Sequence, residues 1–94
     1  MKTKLKKWDI VDHLKTDEAI MNYLDTVLEE NDPHLLAAAL GDIARAKGMT
    51  YIANETGLGR ESLYKALSAT GNPSFVTVHK VLSALGLKLQ VSLL

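Results

Sequence analysis

Five long or polar side chains fall within one short segment of the chain: Arg60, Glu61, Tyr64, Lys65 and Ser68. At helical spacing they share the outward side of one helix. An arginine at a helix N-terminus can donate two hydrogen bonds to guanine O6 and N7. The adjacent glutamate can accept a hydrogen bond from cytosine N4, or it orients the arginine instead. This set of residue types is therefore suited to contact base edges in a DNA groove.

The remaining candidate contacts each allow two interpretations. Lys65 can bind either a guanine or a phosphate, and Tyr64 either contacts DNA or is partly buried. Thr50 and Tyr51, at the start of the preceding helix, can bind phosphate through backbone N–H groups and side chains. Asn72 is a further candidate phosphate contact, although its place between glycine and proline is more typical of a plain turn.

These side chains require a rigid pair of helices behind them, and residues 50–67 predict one. Two short helices lie on either side of Gly57, a residue that tolerates the positive φ of a tight turn. Ala53 is small where the two helices would cross. A DNA-binding helix-turn-helix has this layout, and an ordinary helical hairpin in an all-α bundle is the alternative. The shared core of the pair is predicted to contain Ile52, Leu58, Leu63 and Leu67.

Three further helices are predicted from capping residues and apolar periodicity, over residues 16–31, 32–48 and 74–86. They begin with Thr, Asp and Ser, whose side chains can accept a hydrogen bond from the first-turn N–H groups. The fold class is therefore all-α with five helices. The predicted organisation is one helix-turn-helix domain over residues 16–94, preceded by an N-terminal extension of residues 1–15 that is a candidate partner-binding segment.

The C-terminal segment 87–93 alternates apolar and polar residues, which predicts one short β-strand. A lone strand leaves backbone groups unpaired, so we expect antiparallel pairing with the same strand of a second copy. This homodimer would place two recognition helices about 34 Å apart on a palindromic operator. Pairing with another protein and a frayed tail are the alternatives. The predicted dimer contacts, which would face the helices, are Leu87, Leu89, Val91 and Leu93.

Composition excludes several function classes. The 94 residues include no cysteine, which excludes disulfides, Cys-based zinc sites and thiol catalysis. There is no apolar run of about 18 residues and no secretory signal, so we expect a cytoplasmic protein. The histidines lack ligand spacing, and no phosphate-binding or nucleophile motif occurs. We therefore predict no enzyme activity, no metal and no cofactor.

A net charge of zero conceals an uneven distribution along the chain. Residues 1–8 carry four lysines, residues 9–32 carry eight acidic groups against one lysine, and residues 33–94 have a net charge of +3. The acidic segment and the basic C-terminal part are each expected to have a partner of their own, or the acidic segment is only a solvated helix face.

Four stretches of the sequence carry a more specific signal. They are DPHLLAAALGDIARAKG (32–48), TGLGRESLYKAL (56–67), GNPSF (71–75) and LGLKL (85–89). Together they closely resemble the HigA-like addiction-module antidote proteins, over roughly residues 9–93. The resemblance implies a helical DNA-binding domain of the phage-repressor type. One departure is Gly59, which stands where a serine N-cap is common and is a slightly weaker cap.

The resemblance also implies a function and a protein partner. Such a protein is the antitoxin of a type II toxin–antitoxin module that represses its own operon and neutralises a small basic HigB-like toxin of the RelE/ParE fold. The acidic segment would complement the charge of that toxin. The alternatives are a stand-alone phage-type repressor without a toxin partner and a purely protein-binding helical adaptor. An apolar toxin contact is expected at the N-terminus, unless the tryptophan packs on the domain. Its candidate residues are Trp8, Ile10, Val11 and Leu14.

Overall fold

In the computed structural model the described part of the chain is residues 7–94, with side chains from residue 10 onward, and it contains six α-helices and no β-strand. The all-α class is confirmed, with one helix more than the five predicted. No helix in these residues is long and apolar enough to cross a membrane. The helices are α1 (Lys7–His13), α2 (Asp17–Leu28), α3 (Pro33–Lys47), α4 (Met49–Thr56), α5 (Arg60–Ala66) and α6 (Phe75–Ala84).

Side-chain caps fix the start of three helices at the predicted positions. The hydroxyl of Thr16 accepts a hydrogen bond from the Ala19 N–H, and that of Ser74 accepts one from the Thr77 N–H, both at 3.1 Å. The Asp32 carboxylate accepts from the N–H two residues further on, at 3.0 Å. Each such cap stabilises a helix by about 1 kcal/mol, so local chemistry sets these boundaries.

Helix α3 is the centre of the fold and packs against α1, α2, α4 and α5. Every residue from position 39 to position 44 is buried, and three of these six are alanine or glycine, which lets neighbouring helices approach closely. Helix α4 packs in turn against α6. The largest fully buried side chains join the helices into one core: Ile20, Leu40, Ile43, Ile52, Leu63, Leu67 and Val81.

Helix α1 is the element that the sequence did not predict. It contacts α3, and its Ile10 side chain packs against the core. Leu14, which follows it, is itself a core residue with 3% of its surface exposed. The described part of the N-terminal extension is therefore packed on the domain, and Leu14 is not accessible to a partner. The side chain of Trp8 lies outside the described residues.

The C-terminal tail differs from its predicted course. Leu87 packs against the core, but Leu89 is half exposed and Val91 and Leu93 are almost completely exposed, at 98% and 99%. The expectation that all four apolar residues face the helices is therefore wrong for these three. A strand needs hydrogen bonds to a neighbouring strand, and the described residues 7–94 offer none to the tail. Pairing between copies stays a prediction.

Candidate nucleic-acid interface

The turn between α4 and α5 is held by one buried hydroxyl and one glycine. Gly57 ends α4 in the left-handed conformation with φ 73°, as the sequence predicted. The Thr56 hydroxyl donates to the carbonyl oxygen of Ile52 at 2.8 Å and accepts from the Leu58 N–H at 3.3 Å. These bonds fix the direction in which the chain leaves α4. The role of Thr56 was not predicted, although a threonine directly before a turn glycine was visible in the sequence.

The inner faces of α4 and α5 form the predicted shared core. Ile52, Leu63 and Leu67 are at most 2% exposed, Ala53 is buried, and Leu58 is partly buried against them. A buried face of this kind fixes the rotation of α5 about its own axis, because a rotated helix would expose these side chains. The opposite face of α5 must then point to solvent.

The outward face of α5 carries the predicted DNA contacts. Arg60, Glu61, Tyr64 and Lys65 are all exposed. Tyr64 is 42% exposed, which places it on the surface rather than in the core. The guanidinium carbon of Arg60 lies 5.9 Å from the centre of the Tyr64 ring, within the range of a cation–π contact. The ring therefore supports the arginine side chain near the start of the helix.

The C-terminal end of this face is shaped by the loop that follows α5. Ser68 is half-buried, and its hydroxyl donates to the Lys65 carbonyl oxygen at 2.9 Å, so its proton is already used within the chain. Lys65, Ser68 and Asn72 line one shallow concavity together with Ser62. The structure thus brings three predicted contacts together, and it adds Ser62, which the sequence had not singled out.

Thr50 and Tyr51 are exposed in the first turn of α4, as a phosphate contact requires. No side chain caps this helix, since its N-cap is Gly48. The first-turn N–H groups of α4 therefore have no side-chain acceptor within the described residues. Tyr51 lines a concavity with Lys47 and Leu85, separate from the one that Lys65, Ser68 and Asn72 line, so Tyr51 belongs to a second part of the surface.

Two glycines that touch the end of α5 were not predicted to matter for its position. A methyl group on Gly41 of α3 would overlap the carbonyl oxygen of Leu67. One on Gly71 would overlap the carbonyl oxygens of Lys65 and Ala66. Both contacts are made by backbone atoms, so no side-chain movement can relieve them. The C-terminal end of α5 is thus in close contact with α3 and with the loop that follows α5.

A polar network joins α2 to α3 away from this face. The Tyr23 phenol donates to Asp42 Oδ2 at 3.0 Å, and Arg45 forms an ion pair with the same carboxylate. Burial, followed by the charge of Asp42 and the hydrogen bond to it, raises the pKa of Tyr23 to about 12. Among the described residues, no group of three or more acidic or histidine side chains is arranged to hold a metal ion.

The fold is thus an all-α domain in which a short helix pair presents basic, aromatic and acidic side chains to solvent. Residues 4–93 match the sequence family described as probable addiction module antidote protein, and the chain belongs to that family. The sequence-based resemblance to addiction-module antidotes is confirmed at this level. Membership of an antidote family implies a cognate toxin as partner.

A protein of Haemophilus influenzae (strain Rd), described as uncharacterized, is 52% identical to this chain over 91 residues. The matched region covers 97% of this chain and 94% of that protein, so the likeness extends over the whole domain. No solved structure matches the chain significantly.

Proposed function

We propose that this chain is a HigA-like antitoxin of a type II module, acting in the cytoplasm and without enzyme activity of its own. In this proposal it binds operator DNA as a dimer, represses its own operon, and neutralises a HigB-like toxin of the RelE/ParE fold. The domain is of the phage-repressor helix-turn-helix type, with α5 as the recognition helix.

The observation that carries the DNA-binding part is the outward face of α5. A helix of the right length follows a left-handed glycine turn, and its buried side fixes the exposure of Arg60, Glu61 and Lys65. A structural hairpin has no need of long charged side chains along this face. Arginine and lysine side chains at the major groove can bind base edges and phosphates.

The dimer part rests on the tail. Val91 and Leu93 are almost completely exposed. Removing apolar side chains like these from water lowers the free energy, which favours pairing. A second tail in antiparallel register would cover them and satisfy the backbone groups of both strands. The two-fold axis between the copies would then match a palindromic operator.

The toxin part rests on family membership and on the acidic N-terminal third of the chain. Ile10 and Val11 are partly exposed and remain in the proposed contact together with Trp8, whereas Leu14 is withdrawn because it is buried. Deleting residues 1–30 would remove core side chains such as Ile20 and Leu24, so the contact has to be tested by point variants.

Binding to the chain's own promoter tests the DNA part. Fluorescence anisotropy with a labelled promoter duplex and a shuffled duplex is measured at several salt concentrations. We expect binding that prefers the promoter and weakens steeply with salt, since lysine and arginine release counterions from phosphates. Equal, weak binding to both duplexes would leave a protein-binding adaptor as the better account.

Co-expression tests the antitoxin part against a stand-alone repressor. The adjacent reading frame is induced in cells with and without this chain, and growth is followed. An antitoxin restores growth that the neighbouring product arrests, whereas a stand-alone repressor leaves growth unaffected in every combination.

A further inference from the structure

Two large apolar side chains lie on the solvent side of α2 although its core contacts are already complete. Ile20, Leu24 and Val27 supply the buried face of this helix. Met21 and Leu28 stand seven residues apart, so they align on one side of the helix, and they are 52% and 49% exposed. Scattered exposed apolar residues are ordinary, but an aligned pair beside a complete core forms a strip.

The strip continues into a concavity at the junction of α2 and α3. Leu28 lines this concavity with Val27, Pro33 and Leu36, and Asn31 and Asp32 complete the wall. Asn31 adopts a left-handed conformation with φ 54°, which gives the junction its sharp turn. The apolar surface of α2 is therefore continuous with a recess that can receive one apolar side chain of another molecule.

Carboxylates border the strip along its exposed edge. Glu18 and Asp25 are exposed and stand three or four residues from Met21 or Leu28, and the exposed Glu29 caps the helix directly after Leu28. The two ion pairs between described side chains use Asp17, with Lys47 Nζ at 3.7 Å, and Asp42, so they leave these three carboxylates unneutralised by described cations. An apolar centre with an acidic border is the arrangement of a protein-binding surface.

We infer that the basic toxin docks on this strip, Met21 and Leu28 with their border of Glu18, Asp25 and Glu29, in addition to the proposed N-terminal contact. The inference rests on the proposed toxin partner and gives it a position on the described surface. Charge selects this occupant, because a second acidic strip and the phosphates of DNA would both be repelled. A protein that presents a basic border around an apolar side chain complements the strip in charge and in polarity.

The inference is tested with the full-length chain and the purified product of the adjacent reading frame, by biolayer interferometry. The double variant Met21→Lys/Leu28→Lys places charge in the apolar centre, and we expect it to weaken binding at least about 100-fold. The double variant Glu18→Lys/Asp25→Lys reverses the border and should slow association about tenfold, with the difference shrinking at high salt. Lysine is a good helix former, so α2 is retained in both variants.

Two control variants make the same chemical changes elsewhere on the surface. Val76→Lys alters an exposed apolar residue of α6, and Glu55→Lys reverses an exposed charge on α4. Both should bind the neighbouring product within about twofold of the wild type, because they lie outside the strip. Circular dichroism and promoter binding show that every variant is folded.

The possible results separate the docking surface from the function itself. If the wild type and the strip variants bind the neighbouring product equally well, the strip is not the docking surface, and the proposed antitoxin function stands. If the wild type does not bind that product, the docking surface and the antitoxin function are both refuted. If the strip variants instead lower the mass of the free protein, a second copy occupies the strip and the inference is overturned.

Discussion

Gly41 lies so close to the backbone carbonyl of Leu67 that no side chain fits between them. Helix α3 thereby approaches the C-terminal end of α5 closely at a main-chain atom. Gly71 lies equally close to the backbone carbonyls of Lys65 and Ala66, at the same end of α5. The position of α5 therefore depends on the absence of two methyl groups.

The first prediction follows from this contact. Gly41→Ala forces a methyl group against the Leu67 carbonyl, and overpacking of a close contact costs about 1–3 kcal/mol. We expect the free energy of unfolding to fall by that amount in urea denaturation followed by circular dichroism. Gly59→Ala controls for an added Cβ, because the nearest atom to it is Ser62 Oγ at 3.9 Å, and it should lose only the free energy by which alanine is a weaker N-cap than glycine. An unchanged free energy of unfolding for Gly41→Ala would contradict the proposed fit.

A second prediction concerns the uncapped start of α5. Gly59 is the N-cap with φ −73° and ψ 145°, a conformation that serine adopts without strain, and no side chain caps the helix. A serine hydroxyl there can accept a hydrogen bond from the Ser62 N–H. Gly59→Ser should therefore stabilise the protein by about 0.3–1 kcal/mol in thermal or urea unfolding. Gly59→Ala, which adds a Cβ but no acceptor, should not reproduce the gain.

The third prediction is a pH dependence from Tyr23. The pKa of Tyr23 is raised from 10.0 to about 12 in the folded chain, so folding favours the neutral phenol. The stability that the neutral Tyr23 phenol contributes is fully present below pH 10 and is lost as the pH rises through 12. Tyr23→Phe should lose about 0.5–1.5 kcal/mol at pH 8, where the hydrogen bond to Asp42 is intact. The difference between wild type and variant should then shrink between pH 10 and 12, and a constant difference would exclude Tyr23 as its source.

The fourth prediction separates base contacts from phosphate contacts on α5. Arg60→Ala should weaken specific operator binding by about 1–3 kcal/mol and relax the preference at one base pair. Lys65→Ala, if it binds phosphate, should weaken specific and non-specific binding alike and reduce the salt slope by about 1. Lys88→Ala, an exposed lysine outside this face, is the control. An unchanged affinity for Arg60→Ala would remove that residue from the interface.

The fifth prediction concerns the tail. Val91→Asp should produce a monomer at micromolar concentration in sedimentation velocity, because it places a charge in the proposed seam between two copies. The residue is 98% exposed in the single chain, so the monomer itself should remain folded. Ser92→Asp adds the same charge on the opposite side of the alternating pattern and should keep the dimer. A wild-type protein that is already monomeric would refute the pairing.

The elements that depend on local chemistry were predictable from the sequence. Thr16, Asp32 and Ser74 begin their helices where the sequence placed them, because a cap bonds to N–H groups within three residues. Gly57 has its positive φ for an equally local reason. The outward face of α5 followed from periodicity, since the buried positions left it no other orientation.

The features that were missed depend on contacts between distant parts of the chain. The bond from Tyr23 to Asp42 spans 19 residues, and the contact of Gly41 with Leu67 exists only once α3 and α5 have packed. Helix α1 is short and rich in charge, so its periodicity was weak, and its place is set by packing on α3. The predicted tail strand is absent from the single chain, and its pairing with a second copy stays a prediction.

The close contacts at Gly41 and Gly71 lie at the end of α5 and involve none of its exposed side chains. Since these contacts and the buried inner face of α5 together set its position, its five exposed side chains can change without repositioning the helix. Where α5 reads operator DNA as proposed, exchanging residues 60, 61, 62, 64 and 65 would change the operator preference and leave the buried core of the antidote unchanged.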